Sequence, residues 1–85
     1  MPRFLAVHAQ TFSEEQLKAL AANAGQLPPD VSWKRSYCTA TGDRTFCDWE
    51  APSREAVEQV LKANDLPFVT IYPVRRFDPA VGAFE

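Results

Sequence analysis

The order of apolar segments and turn signals predicts an α+β domain with the element order β-α-β-β-α-β. This is the ferredoxin-like sandwich, in which a four-stranded antiparallel sheet carries two helices on one face. Three observations predict it: an apolar run followed by a capped helix, an alternating segment on each side of a glycine turn, and a second capped helix before a last β-prone run. At 85 residues the chain has room for one such domain.

The first strand and the first helix follow from the N-terminal third of the sequence. Residues 3–9 form an apolar run that is typical of a central strand. Ser13 and Gln16 have the spacing of a capping box, and Phe12 and Leu17 occupy the hydrophobic staple positions around it. The apolar stripe of this helix consists of Leu17, Leu20, Ala21 and Ala24. Gly25 is predicted to end the helix.

The middle of the chain is predicted to form a hairpin. Residues 31–39 alternate in character, Thr41-Gly42-Asp43 is a turn signal, and residues 44–50 are again β-prone. A turn tip at Thr41-Gly42 predicts four cross-strand pairs, which are Thr39–Arg44, Tyr37–Phe46, Arg35–Asp48 and Trp33–Glu50.

The last third supplies the second helix and the fourth strand. Ser53 is the expected cap, with Glu55 in the first turn, and the helix is expected to end near Asn64. Its apolar stripe is Ala56, Val57, Val60 and Leu61. Residues 68–72 form the final β-prone run, which we expect Pro73 to stop. Residues 1–74 are therefore predicted to form the domain, and residues 75–85 a C-terminal tail or arm with room to pack on a partner subunit.

The charge pattern narrows the classes of partner. The net charge is −2, and no basic run is longer than the two residues of Arg75-Arg76, so neither nucleic acid nor an anionic membrane is an expected partner. No apolar stretch approaches the roughly 18 residues that a spanning helix needs. The N-terminal residues resemble a strand more than an export signal, so we expect a cytoplasmic protein with Cys38 and Cys47 as reduced thiols, buried in the core and not forming a redox pair.

Alternation along the strands assigns side chains to the two faces of the sheet. The smaller and more neutral set is expected beneath the helices. Its members are Leu5, Val7, Ser36, Cys38, Thr45, Cys47, Trp49, Val69 and Ile71. The remaining set, expected on the face without helices, comprises Phe4, Ala6, His8, Trp33, Arg35, Tyr37, Phe46, Asp48, Glu50, Phe68, Thr70 and Tyr72. So many aromatic residues on one uncovered face predict a homodimer, and two such faces would enclose an aromatic-lined cavity suited to a small ligand.

Several segments resemble the DUF4242 family of small bacterial proteins. They are Met1-Pro2-Arg3-Phe4, Trp33-Lys34-Arg35-Ser36-Tyr37, Thr41-Gly42-Asp43, the run from Phe46 to Ala56, and Leu66-Pro67. The similarity extends to about residue 74. It implies the fold of the dimeric ferredoxin-like α/β barrels, and one branch of the family is described as nickel-binding.

The candidate site residues come from the predicted uncovered face. Histidine is the residue type whose ordinary pKa lies nearest neutrality, so His8 is a candidate general base or metal ligand, and Asp48 is the second candidate base. The candidate metal ligands are His8, Asp48 and Glu50. The expected ligand-binding residues are Trp33, Arg35, Tyr37, Phe46, Glu50 and Tyr72.

Three functions remain open from the sequence. The first is a binding module that holds a small molecule between two copies of the chain. The second is a protein that binds nickel or another divalent metal. The third is a cofactor-independent isomerase or oxygenase, in which His8 or Asp48 abstracts a proton and Arg35 holds the developing anion. No nucleotide, flavin or haem motif is evident, so a divalent metal is the one cofactor kept under consideration.

Overall fold

The computed structural model describes residues 2–23 and 26–85. In chain order its elements are β1 (Arg3–His8), α1 (Glu14–Ala22), β2 (Ser32–Cys38), β3 (Thr45–Glu50), α2 (Arg54–Ala63), β4 (Thr70–Val74), β5 (Phe77–Asp78) and β6 (Ala83–Phe84). The first four strands form one antiparallel sheet in the spatial order β2-β3-β1-β4. The predicted α+β class, with two helices and a four-stranded antiparallel sheet of the ferredoxin-like type, is confirmed.

Both helices begin at the predicted caps. The Ser13 hydroxyl accepts a hydrogen bond from the Gln16 amide at 3.1 Å, and the Gln16 side-chain oxygen accepts one from the Ser13 amide at 2.8 Å, which completes the capping box. The Ser53 hydroxyl likewise accepts from the Ala56 amide. The predicted stripe residue Ala24 and the predicted stop Gly25 lie outside the described residues.

The two helices differ in how deeply they pack. In α2 the predicted stripe is confirmed, because Val57, Val60 and Leu61 are buried. In α1 no residue is buried, and Leu17 and Leu20 are only half-buried. The apolar core therefore lies mainly between α2 and the sheet.

The β2–β3 hairpin has the predicted register near its turn. Tyr37 pairs with Phe46, Arg35 pairs with Asp48, and Gly42 has the positive φ (81°) that the turn requires. The predicted pair Trp33–Glu50 is wrong. A β-bulge between Trp33 and Arg35 shifts the register by one residue, so Trp33 pairs with Trp49.

The face assignment of β1 is also wrong. Phe4, Ala6 and His8 are buried on the side of the helices, whereas Leu5 and Val7 lie on the other side. The cause is a difference of one residue in register: β1 pairs Phe4 with Trp49 and Ala6 with Cys47, and a shift of one residue moves every side chain of a strand to the opposite face.

The two faces can now be defined by their residues. The helix-covered face carries Phe4, Ala6, His8, Trp33, Ser36, Cys38, Thr45, Cys47, Trp49 and Ile71. The open face carries Arg3, Leu5, Val7, Arg35, Tyr37, Phe46, Asp48, Glu50, Thr70, Tyr72 and Val74.

The fourth strand begins and ends later than expected. Phe68 precedes β4 and packs against the core, and Val69 is exposed, so both expected positions are wrong. Pro73 does not stop the strand, because it pairs with Phe4 inside β4. An edge strand has alternate positions whose N–H groups are not needed by the sheet, and a proline can occupy one of them.

No helix in the described ranges is long and apolar enough to cross a membrane.

Candidate functional site

The open face consists of three rows of side chains that run across the strands. The first row is Tyr37, Phe46, Val7 and Thr70. The second row is Arg35, Asp48, Leu5 and Tyr72. The third row brings together Glu50, Arg3 and Val74. The face therefore changes from mainly apolar at the hairpin end to charged at the opposite end.

The charged end is held together by Arg3. One guanidinium nitrogen of Arg3 lies 3.3 Å from an Asp48 oxygen, and the other lies 3.0 Å from a Glu50 oxygen. Arg76 lies 3.8 Å from Asp48 and pairs with Glu85, which is 3.9 Å from Arg3. We call Arg3, Asp48, Glu50, Arg76 and Glu85 the ion-pair network. Three carboxylates and two guanidinium groups thus share one partly desolvated cluster.

Sequence reasoning missed the centre of this network. Arg3 is a charged residue at the start of an apolar central strand, and that contrast was the available signal. Arg76 and Glu85 carried no such signal, because nothing in the sequence shows that the last residues return to the sheet. The Lys34 ammonium adds a further contact to Glu50 at 3.5 Å.

Arg35 is the charged residue of the open face that stands outside the network. Its α-carbon lies opposite that of Asp48, as predicted, but the two side chains form no salt bridge among the described residues. The Asp48 carboxylate is already contacted by Arg3 and Arg76, and Asp48 is only 7% exposed. The guanidinium of Arg35 is therefore exposed with its charge uncompensated by its cross-strand neighbour.

Aromatic side chains share this face with Arg35: Tyr37 is its neighbour along β2, whereas Tyr72 lies on β4 at the far edge of the sheet. Tyr37 and Tyr72 are 56% and 54% exposed, and Phe46 is half-buried between β2 and β1. Five of the six predicted ligand-binding residues share this face. Trp33 does not, because the bulge turns it onto the helix-covered face, where it stacks on Trp49 at 6.2 Å.

Residues 75–85 form a short hairpin of β5 and β6. The rings of Phe77 and Phe84 meet edge-to-face at 5.3 Å, and the Arg75 guanidinium lies 3.9 Å above the Phe84 ring. Arg76 and Glu85 attach this hairpin to the ion-pair network of the same chain. Phe77 and Phe84 remain half exposed, so the hairpin extends the apolar area beside the open face.

The expected position of His8 on the uncovered face is wrong. His8 is 1% exposed on the helix-covered face, and its Nδ1 lies 2.8 Å from the carbonyl oxygen of Pro67. A carbonyl only accepts, so Nδ1 carries the proton in this contact. Because His8 lies on the opposite face from Asp48 and Glu50, these three candidate ligands cannot bind one metal ion within a chain.

The two cysteines occupy different environments. Cys47 is buried as predicted, and burial raises the pKa of its thiol, partly offset by the Ser36 hydroxyl that donates to its sulfur at 3.1 Å. Cys38 is exposed, so its predicted burial is wrong; it is the last residue of β2. In the ranges 2–23 and 26–85, no group of three or more His, Cys, Asp and Glu side chains could hold a metal ion.

Comparison with known proteins places the chain in a family. The crystal structure of SCO4226 from Streptomyces coelicolor A3(2) has a similar fold, with a TM-score of 0.66 and 23% sequence identity over 85% of this chain and 94% of that chain. No curated protein sequence matches the chain significantly. The family model described as nickel responsive protein SCO4226-like matches residues 4–74, and the resemblance to DUF4242 is consistent with it. The chain therefore belongs to the SCO4226-like family of nickel-responsive proteins.

Proposed function

We propose that this chain is a non-catalytic binding module that pairs with a second copy through its open face and holds a small aromatic carboxylate on Arg35. The observation that carries the proposal is the exposed guanidinium of Arg35 opposite a carboxylate that other arginines already occupy. A guanidinium binds a carboxylate through two parallel hydrogen bonds, and a neighbouring tyrosine ring supplies apolar contact.

Pairing through the open face is supported by its exposed aromatic residues. Strands of five to seven residues at a spacing of about 4.8 Å give a flat area of roughly 350 Å². A standard interface buries about 800 Å² per partner. The hairpin of residues 77–84 adds exposed Phe77, Val81 and Phe84 beside the face. We infer that this hairpin contributes to the contact between the copies and so enlarges it.

Metal binding is the second candidate, and the description of the family favours it. The donors of one chain do not fit a nickel site, because its histidine and its open-face carboxylates lie on opposite sides of the sheet. A metal shared between two copies would draw on Asp48 and Glu50, in competition with Arg3. For this reason the proposal does not depend on nickel, and nickel is tested separately.

The test combines thermal unfolding with sedimentation on the whole chain. Benzoate at 100 times its dissociation constant should stabilise the protein by about 2.7 kcal/mol, which is readily detected as a rise in Tm in a domain of this size. Arg35→Gln should abolish the benzoate shift and leave the dimer in place. Arg44→Gln is the matched control, because Arg44 is also an exposed arginine of this hairpin but lies at the turn.

Each contrary result has a defined meaning. An equal benzoate shift in the Arg35→Gln variant would reject Arg35 as the anion site. A monomer at all concentrations would reject pairing through the open face. A Tm shift with Ni²⁺ alone that is lost in Glu50→Gln would replace the carboxylate proposal with the metal candidate.

A further inference from the structure

A cavity of about 270 Å³ lies between the two helices and the helix-covered face of the sheet. Its wall includes Leu17 and Leu20 of α1, Leu61 of α2, and the stacked rings of Trp33 and Trp49. Because α1 buries none of its own residues, it borders this space without filling it. The cavity is separate from the open face, which lies on the other side of the sheet.

The size of the cavity indicates that it has an occupant. Voids in the cores of native proteins are seldom larger than one water molecule. Empty space lowers stability in proportion to its volume, and a domain of 85 residues has only a modest stability to begin with. A space of this size would weaken the fold if it stayed empty, and a bound molecule would restore the missing contacts.

Water is a poor occupant, because the buried part of the wall offers few hydrogen-bonding groups. A buried water molecule makes about two to four hydrogen bonds. Nδ1 of His8 is already engaged by the Pro67 carbonyl, and the Cys47 sulfur accepts from Ser36. The indole N–H of Trp49 is enclosed by protein atoms, so a molecule in the cavity does not contact it. The space is therefore suited to an apolar molecule.

The absence of charge from the wall restricts the ligand further. Among residues 2–23 and 26–85, no aspartate, glutamate, lysine or arginine lines the cavity. A carboxylate or an ammonium group placed inside would lose its hydration without gaining a counter-ion, and a hydrocarbon has no such penalty. The cavity therefore selects neutral molecules.

A groove beside the cavity connects it to the surface. The groove lies between residues 26–31 and α2, and it shares five residues with the cavity wall, which are Gln26, Leu27, Val60, Ala63 and Asn64. Gln26, Ala63 and Asn64 are exposed, whereas Val60 is buried, so the shared wall runs from the surface to the core. The groove is therefore the expected route of entry.

We propose that this cavity is a binding site for a small, neutral and apolar molecule of the class of alkyl-substituted benzenes. A cavity of about 150 Å³ holds benzene, so one of about 270 Å³ has room for roughly ten non-hydrogen atoms. Phe12, Trp33 and Trp49 give the wall aromatic surface, which favours a ring over an open chain. The site depends neither on Arg35 nor on the pairing of two copies.

The test compares p-xylene with p-toluate, which carries a carboxylate in place of one methyl group. NMR of the whole chain with ¹³C-labelled leucine methyl groups locates the bound probe directly. We expect saturable binding of p-xylene, with NOEs from its protons to the methyl groups of Leu17, Leu20 and Leu61. Both probes are also titrated into the Arg35→Gln chain, so that binding of p-toluate to the open face does not enter the comparison. There p-xylene should keep its affinity, and p-toluate should bind at least about tenfold more weakly than p-xylene.

Two substitutions in α1 form a matched pair. Leu20→Phe enlarges a side chain that lines the cavity, so it should weaken p-xylene by at least about tenfold. Ala21→Phe adds the same ring at the next residue, which is exposed and outside the wall, and it should leave the affinity unchanged. If Leu20→Phe does not fold, the NOEs of the unmodified chain decide alone.

Four results would each overturn the proposal. They are the absence of saturable p-xylene binding, NOEs only to methyl groups outside the cavity, equal affinity of the two probes for the Arg35→Gln chain, and unchanged p-xylene affinity in a folded Leu20→Phe chain. None of these results bears on the carboxylate site at Arg35, so the two proposals fail independently.

Discussion

Arg35 and Asp48 face each other across β2 and β3, yet the carboxylate of Asp48 contacts Arg3 at 3.3 Å and Arg76 at 3.8 Å. Arg3 on the neighbouring strand β1 and Arg76 beside the C-terminal hairpin thus supply the positive charges at Asp48. Arg35, on the strand paired with that of Asp48, does not. Arg3 and Arg35 therefore have different surroundings on the same face of the sheet. Arg3 compensates a nearly buried carboxylate, whereas Arg35 stays exposed, as the proposed carboxylate site requires.

Replacing Arg3 should therefore destabilise the fold. In Arg3→Met the Asp48 carboxylate loses its nearest cation and Glu50 loses its closest partner, while both stay in place. We expect a loss of about 2–3 kcal/mol in the free energy of unfolding, because removal of one partner leaves a desolvated charge behind. Urea denaturation followed by tryptophan fluorescence measures it.

The matched control is Lys18→Gln. Lys18 forms an exposed i,i+4 pair with Glu14 at 3.8 Å, and such pairs contribute about 0.5 kcal/mol or less. A loss as small in Arg3→Met as in Lys18→Gln would show that the ion-pair network does not stabilise the domain.

The turn of the β2–β3 hairpin should make stability depend on acid pH. The hydroxyls of Thr41 and Thr39 donate to Asp43 and hold the pKa of its carboxyl below its ordinary value of 3.8. The folded pKa is thus lower than the unfolded one, so the contribution is present above the unfolded value and is lost as the pH falls through the folded value.

This dependence can be measured by NMR titration of the Asp43 carboxyl. Thr41→Val removes the largest cause and should raise the pKa of Asp43 toward its ordinary value. The stability difference between the unmodified chain and Asp43→Asn should shrink as the pH is lowered from about 6 to about 2. A titration midpoint of Asp43 at or above 3.8 in the unmodified chain would contradict the prediction.

The two cysteines should react at very different rates. Cys38 is exposed, whereas Cys47 is buried with a raised pKa, and the thiolate is the reactive form. We expect iodoacetamide at about pH 8 to modify Cys38 rapidly and Cys47 only when urea unfolds the chain. Mass spectrometry of peptides identifies the modified residue, and Cys38→Ser leaves Cys47 to be followed alone. Equal rates in the folded chain would mean that Cys47 is accessible from solvent.

The reversed face of β1 can be tested with two substitutions of adjacent residues. Ala6 is fully buried beneath the helices, so Ala6→Leu should overpack the core and cost about 1–3 kcal/mol. Val7 lies half-buried on the open face, and Val7→Leu should change stability by about 0.5 kcal/mol or less. Thermal unfolding of both variants is sufficient. A larger loss in Val7→Leu would restore the original face assignment.

The sequence was sufficient for the fold class because its signals are local. The capping box at Ser13 and Gln16 and the stripe of α2 depend on residues three or four positions apart, and both are present in the structure. The Tyr37–Phe46 and Arg35–Asp48 pairs could also be predicted, because a short turn sets the register of the strands beside it.

The face of β1 could not be predicted in the same way. Phe4, Leu5, Ala6 and Val7 are all apolar, so the strand has no alternation of its own, as is usual for a central strand. Its register depends on pairing with β3, more than 35 residues away in the chain. The bulge at Trp33 has no sequence signal either, and together these two errors moved His8 and Trp33 to the wrong face.

The place of Pro73 within β4 bears on how copies of this chain can meet. A sheet offers its outermost strands as templates on which another chain can add a strand, and such addition leads to open-ended aggregates. Here one outer strand contains a residue without an N–H, and the other, β2, is interrupted by a bulge. Both templates are thus poor, so growth by strand addition is disfavoured at either side of the sheet. The pairing proposed above uses the face of the sheet instead, and such a face-to-face contact would close after two copies.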